Sequence, residues 1–204
     1  GNRFEIETDS AGRPIRRTGP DGATVTSEYD DQGNLISSSG PDGLVVSYEY
    51  DAQGEYVTEV TGLDSATGEL RSISLSYDPV SGQPSEVTYP GGTTTSVEWD
   101  ADGLPISATN ADGGVTTFAF DSSGNMTSMI SPTGATTEWV RDSFGHILER
   151  IDPDGHSVSR NYDALGRLTE IIDAAGSTRS FVWNDNNTLA SVTDGLGDVT
   201  TFGY

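Results

Sequence analysis

The stretch Tyr162-Asp163-Ala164-Leu165-Gly166-Arg167-Leu168-Thr169 decides how this chain is read. An aromatic residue precedes an Asp, a Gly follows three places after it, and an aliphatic residue stands five places after it. Working outward, the spacing returns at Asp9, Asp30, Asp51, Asp78, Asp100, Asp121 and Asp142, and Asn184 takes the ninth place. Successive intervals are 21, 21, 27, 22, 21, 21, 21 and 21 residues. A fixed period in this range marks a repeat architecture, in which function resides in the array rather than in one special residue. The pattern runs from Phe4 to Tyr204, so residues 1–204 are read as a single array. Tyr204 falls where the aromatic of a further repeat belongs, and the array is therefore expected to be a fragment of a longer protein.

Each repeat carries two turn signals. The first is Asp-x-x-Gly, as in Asp30-Asp31-Gln32-Gly33 and Asp121-Ser122-Ser123-Gly124. The second ends in a Gly thirteen residues after the anchor, as in Gly19-Pro20-Asp21-Gly22 and Ser131-Pro132-Thr133-Gly134. Pro presets φ at the second turn position and Gly supplies φ > 0. Between the turns lie runs of about seven residues rich in Thr, Val, Ile, Ser and aromatics, which is strand composition. Turns every ten or eleven residues leave no room for a parallel crossover, which needs a dozen or more residues. The spacing predicts an all-β antiparallel meander of about nine two-stranded repeats, about eighteen strands in chain order, without a helix longer than one turn.

Alternation assigns the faces. Residues one, three and five places before each anchor share one face of their strand. The first column reads Tyr29, Tyr50, Tyr77, Trp99, Phe120, Arg141, Tyr162, Trp183 and Tyr204; the next includes Tyr48, Leu75, Val97, Phe118, Trp139, Phe181 and Phe202. The opposite face begins Glu28, Glu49, Ser76 and Glu98. In the other strand of each repeat, Leu35, Tyr56, Met126, Ile147, Leu168 and Leu189 recur five places after the anchor. One face is apolar and aromatic, the other polar. Two insertions fall at turns: six residues around Thr61–Gly68, predicting a longer hairpin from Leu63 to Glu69, and one in Asp78-Pro79-Val80-Ser81-Gly82.

The formal charge of −22 arises from 32 acidic and 10 basic residues. All the cations are Arg, and nearly every Asp sits in or beside a turn, where its side chain bonds nearby N–H groups. Such a balance opposes binding to a phosphate backbone, so no nucleic-acid partner is expected. There is no Cys, hence neither disulfides nor thiolate metal sites. No apolar stretch approaches the roughly 18 residues of a membrane span.

The motif Tyr162-Asp163-Ala164-Leu165-Gly166-Arg167-Leu168, followed by Gly176 and Trp183-Asn184, resembles the RHS or YD repeat, as do Tyr29-Asp30-Asp31-Gln32-Gly33-Asn34-Leu35 and Tyr50-Asp51-Ala52-Gln53-Gly54. The resemblance covers essentially the whole chain. That family includes bacterial Rhs polymorphic toxins, wall-associated proteins of Gram-positive bacteria, toxin-complex shell proteins and animal teneurins. It implies a curved strip of β-sheet that spirals into a hollow shell, which in the toxins encloses a C-terminal toxic domain. Departures are Thr8 and Arg141 in place of the aromatic, and Pro14, Pro84 and Pro105 in place of the column Leu. Rhs cores end in an acidic self-cleavage segment, and this sequence has none; Asp152-Pro153-Asp154-Gly155 lies in an ordinary repeat turn. The resemblance thus implies shell wall, secreted or at the cell surface, whose partners are further repeats and an enclosed domain.

The residue inventory suggests no catalytic, cofactor-binding or metal site. His146 and His156, the only imidazoles, flank different turns of one repeat without a fixed third ligand. No Gly-x-Ser-x-Gly elbow occurs. Asp100-Ala101-Asp102-Gly103 and Asp152-Pro153-Asp154-Gly155 lack the ligand set of an EF-hand. The expected role is a non-enzymatic wall segment of an encapsulating shell. The rival reading is a cell-surface adhesion or carbohydrate-binding module whose aromatic columns stack on sugars. Eighteen strands give a strip about 85 Å long and about 24 Å wide, expected to curl with its aromatics on the concave side and to self-associate through its exposed edge strands.

Overall fold

The computed structural model describes residues 4–63 and 68–204. Among these residues there is no helix. The chain divides into two units, Gly1–Gly103 with Asn110–Gly113, and Leu104–Thr109 with Gly114–Tyr204. The first carries β1 (Glu5–Thr8), β2 (Pro14–Thr18), β3 (Thr24–Tyr29), β4 (Leu35–Ser39), β5 (Val45–Tyr50), β6 (Val57–Leu63), β7 (Leu70–Tyr77), β8 (Pro84–Thr88) and β9 (Thr94–Trp99). The second carries β10 (Pro105–Thr109), β11 (Val115–Phe120), β12 (Met126–Ile130), β13 (Thr136–Arg141), β14 (Ile147–Ile151), β15 (Ser157–Tyr162), β16 (Leu168–Ile172), β17 (Thr178–Trp183), β18 (Leu189–Thr193) and β19 (Val199–Thr201). All 19 strands belong to one antiparallel sheet, and each pairs with its neighbours in the chain. The strand beyond the anticipated eighteen is the short β19 of the last repeat.

Most strands are five or six residues long rather than seven, because both turns of a repeat consume residues in the same way. At the first turn Gly33 N–H donates to Asp30 O (3.2 Å) and Asp30 N–H to Asn34 O (3.0 Å). At the second, Gly43 N–H donates to Gly40 O (3.1 Å) and Gly40 N–H to Leu44 O (2.8 Å). This is the three-residue hairpin in which a type I turn is followed by a residue at positive φ. In the last repeat Asn187 takes that place at φ 65°, as Asn tolerates the left-handed region best among ordinary residues.

A second irregularity recurs. Pairing shifts between Glu28 and Tyr29, Glu49 and Tyr50, Ala119 and Phe120, Asn161 and Tyr162, and Val182 and Trp183. Each of these repeats therefore has a bulge at its aromatic, so that Tyr29 opposes Leu35 while Glu28 opposes Ser37. Pro14, Pro84 and Pro105 each open a strand, the place where a missing N–H removes least from the ladder.

Burial alternates as the columns require. In β5 and β11 the residues one, three and five places before the anchor are half-buried and those between them exposed. No hydrophobic residue is fully buried among the described ones; Thr137, at 7% exposure, is the only buried polar side chain. Among the described residues, the sheet within each unit is a single layer, strands touching only their chain neighbours. The non-aromatic face is less purely polar than the sequence columns suggest. In the second unit Val140 and Val182, 46% and 54% exposed, share it with Ile151 and Ile172. The long hairpin shows in β6 and β7, which run to seven and eight residues; its tip, residues 64–67, lies outside the described residues.

Candidate functional site

The aromatic face and the edge formed by the first turns are built by one device repeated along the sheet. It begins with the anchor. Asp30 Oδ1 accepts the N–H groups of Gln32 (2.9 Å) and Asn34 (2.8 Å), and Asp163 Oδ1 accepts those of Leu165 and Arg167, both at 2.9 Å. The second carboxylate oxygen takes the side chain four places on: Arg13 Nε on Asp9 (2.7 Å), Asn34 Nδ2 on Asp30 (3.1 Å) and Arg167 Nε on Asp163 (2.7 Å). These donors hold Asp9, Asp30, Asp121 and Asp163 below the usual carboxylate range, the N–H four residues on being the leading cause. Ser81 does the same for Asp78, and the His146 ring for Asp142.

The donor at the fourth place also reaches the next repeat. Arg13 donates to Asp30 O (3.2 Å) with its guanidinium 4.8 Å from the centre of the Tyr29 ring. Arg167 donates to Asn184 O and Asn187 Oδ1, both at 3.0 Å, and lies over Trp183. His146 stacks on Tyr162 with ring centres 4.8 Å apart. Anchor, cation or imidazole, and next aromatic thus interlock at Arg13–Tyr29, His146–Tyr162 and Arg167–Trp183, a link the column reading missed although Arg13, His146 and Arg167, each four places after its Asp, were the visible signal.

The aromatic column completes the device. Pairing of β4 with β5 runs outward from Ser39 and Val45 to Ser37 and Ser47, so Leu35 O lies beyond the last pair. Tyr50 Oη donates to it at 3.0 Å. The same bond, from a column residue to the opening residue of the preceding strand pair, joins Tyr29 to Pro14 O (3.1 Å), Tyr77 to Val57 O (2.9 Å) and Trp99 Nε1 to Pro84 O (2.9 Å). It joins Tyr162 to Ile147 O (3.1 Å) and Trp183 Nε1 to Leu168 O (2.8 Å) in the second unit. This explains the departures. Arg141 supplies Nε to Met126 O at 3.2 Å in place of an aromatic hydroxyl, and a Pro serves in the Leu column because its carbonyl is the group used. Phe120 alone in the column brings an aromatic ring without a donor.

The residues weighed earlier for chemistry have structural duties. His146 Nδ1 lies 2.9 Å from Asp142 Oδ2 and His156 Nδ1 2.7 Å from Asp154 Oδ2, at opposite ends of β14. Asp100 Oδ1 accepts Asp102 N–H, and Asp154 Oδ1 accepts His156 N–H. Among the described residues no group of three or more His, Cys, Asp or Glu side chains is arranged to hold a metal. Among the described residues no helix is long and apolar enough to cross a membrane. Two open recesses mark the turn edge: one of about 400 Å³ beside His146, Tyr162 and Leu165, and one of about 660 Å³ around Tyr56 and Tyr77, whose rings are 4.6 Å apart.

The interlocked aromatic–Asp repeat is matched by a known family profile, Teneurin YD-shell, over residues 1–197. The chain belongs to this YD-shell family. No curated protein sequence matches it. Among solved structures, the crystal structure of TcdB2–TccC3 without its hypervariable C-terminal region is similar, with a TM-score of 0.69 and 14% identity over 93% of this chain. The Tc holotoxin pore of Photorhabdus luminescens aligns over 94% of the chain at 12% identity and a TM-score of 0.44. The chain spans 11% and 13% of the length of those two chains. YD-shell membership and the fold shared with TcdB2–TccC3 make it a shell-type structural segment.

Proposed function

We propose that this YD-shell array is part of the wall of an encapsulating shell in a secreted or cell-surface bacterial toxin-like protein, where it encloses a C-terminal toxic domain and performs no catalysis of its own. The observation that carries the reading is the single-layer sheet with an apolar, aromatic face and no hydrophobic residue buried among the described ones. A sheet with one apolar face is stable when something covers that face, and a closed wall with contents supplies the cover. Membership of the YD-shell family and the fold shared with TcdB2–TccC3 support it.

Limited proteolysis of the parent polypeptide tests the reading. The C-terminal domain should resist protease while the wall is folded and become digestible when mild denaturant opens the repeats. Immediate digestion with the wall intact would refute it. A second reading, carbohydrate recognition, draws on the recess where Tyr56 and Tyr77 stand beside Asp51, Gln53 and Asp78. A glycan array probes it directly, and binding lost in Tyr56→Ala would favour it.

A further inference from the structure

The sheet separates its charges by face. Every glutamate in a described strand, from Glu5 and Glu7 in β1 to Glu170 in β16, lies on the face opposite the aromatic columns. Strand registers place Glu49 directly across from Glu59, and Glu149 beside Val140 and Ser159. The aromatic face carries no carboxylate within its strands; its charged residues there are Arg17, Arg71, Arg141, Arg150, Arg160 and Arg179. Four of these fall in the second unit. Arg141 is engaged with Met126 O and Gly145 O, and Arg150 with Asp152.

Arg160 differs. It interrupts the column three places before the anchors, between Trp139 and Phe181, and its Nη1 is buried without an acceptor. A guanidinium N–H removed from water and left unpaired is costly, and a carboxylate is the partner that offsets it best. Across β16, Ile171 pairs with Arg160 on one side and Arg179 on the other. The two cations therefore flank one aliphatic side chain, about 10 Å apart at two strand spacings.

We propose that the aromatic face of the second unit docks an acidic polypeptide segment, whose carboxylates bind Arg160 and Arg179 while its apolar side chains lie on Trp139, Ile171 and Phe181. The proposal rests on the reading of this face as the covered side of a shell wall, and it names the chemistry of what covers it. The chain's overall negative charge does not preclude this. The strand glutamates project from the far face, and charges in solvent are largely screened beyond ~8 Å at physiological salt.

The test uses the whole 204-residue chain at physiological ionic strength and a fluorescent peptide of alternating Glu and Phe, read by anisotropy. The peptide should bind, its Gln-for-Glu counterpart about 10-fold or more weaker, and Arg160→Gln with Arg179→Gln should weaken the Glu peptide by a similar factor, as losing charge-assisted pairs requires. Arg160→Leu, which gives the column the residue it has at Leu75, should fold and bind more weakly than the native chain, though less weakly than the double variant, since Arg179 remains. Glu170→Gln, on the other face, should change binding less than about 2-fold. Equal binding of the Gln peptide, or undiminished binding by the double variant, would overturn the proposal. So would Arg160-dependent binding of polygalacturonate without peptide binding, or Arg160-dependent dimerisation in sedimentation that leaves no room for peptide. A negative peptide result with the C-terminal domain of the parent still protected from protease would end this inference and leave the shell reading standing.

Discussion

Replacing Tyr50 by Phe removes one hydroxyl and nothing else. That hydroxyl donates at 3.0 Å to Leu35 O, beyond the last paired residues of β4 and β5. The net worth of such a hydrogen bond is about 0.5–1.5 kcal/mol, and an acceptor stranded away from water costs more. Leu35 and Tyr50 are half-buried rather than buried, so water reaches the carbonyl and the loss should be about 1 kcal/mol. For a chain of this length that is about 2–4 °C in Tm. Urea unfolding followed by near-ultraviolet circular dichroism measures the stability, and amide exchange localises the change to β4 and β5. The reverse substitution is the sharper half of the test. Phe120→Tyr places a hydroxyl where the column otherwise has a donor, aimed by analogy at Pro105 O, and should stabilise the second unit by about 0.5–1 kcal/mol. If Tyr50→Phe is neutral and Phe120→Tyr brings no gain, the column tip does not fasten the hairpins and the packing of the rings alone must do so.

Other consequences are separable. Gly166 has φ 77°, and a Cβ there would lie 3.0 Å from the His146 ring; Gly166→Ala should cost about 1–3 kcal/mol in thermal unfolding, whereas Gly155→Ala, also at positive φ but with open space around it, should cost less. The anchors Asp9, Asp30, Asp78, Asp121, Asp142 and Asp163 all have depressed folded-state pKa values. They therefore contribute stability that is whole above the ordinary value of 3.8 and lost as pH falls through the lowered values; urea midpoints should be level on this account from pH 5 upward and drop below about pH 4. Protease should first cut between Leu63 and Glu69, where the sequence adds six residues to a turn; a first cut at the Asp163–Gly166 turn would contradict the interlocked edge. Hydrolase assays should be blank, and turnover abolished by His146→Ala would overturn the non-catalytic reading.

The architecture was legible because both of its periods are written in residue types with obligate conformations. Asp and Gly at fixed offsets specify two turns per repeat, and alternation from each Asp specifies the faces, as β5 and β11 show. What lay hidden depended on atoms rather than types. Arg141 looked like a defect in the aromatic column, yet its Nε makes the bond a tyrosine hydroxyl makes elsewhere. Pro14 and Pro84 looked like defects in the Leu column, yet the column contributes a carbonyl, which proline keeps. The bulges at aromatics such as Tyr29, Tyr50 and Tyr162 shorten the strands, and no propensity announces a bulge whose extra residue is an ordinary one. The separation of Glu from Arg was present in the sequence, but it emerges only when registers such as Glu149 with Val140 and Arg160 with Ile171 place both strands of a repeat on common faces.

The central proposal is that, in a longer shell protein built with this array, the aromatic face is covered and the glutamate face is not. Trp139 and Val140, and likewise Val182 and Trp183, are neighbours in the chain that project to opposite faces. Hydroxyl-radical footprinting of the parent polypeptide and of the 204-residue array, read residue by residue by mass spectrometry, compares them directly. Oxidation of Trp139 and Trp183 should fall several-fold in the parent while Val140 and Val182 stay as reactive as in the array. Equal reactivity of the two tryptophans in both proteins, or protection of the valines instead, would show that this sheet is not a wall with its contents on the aromatic side.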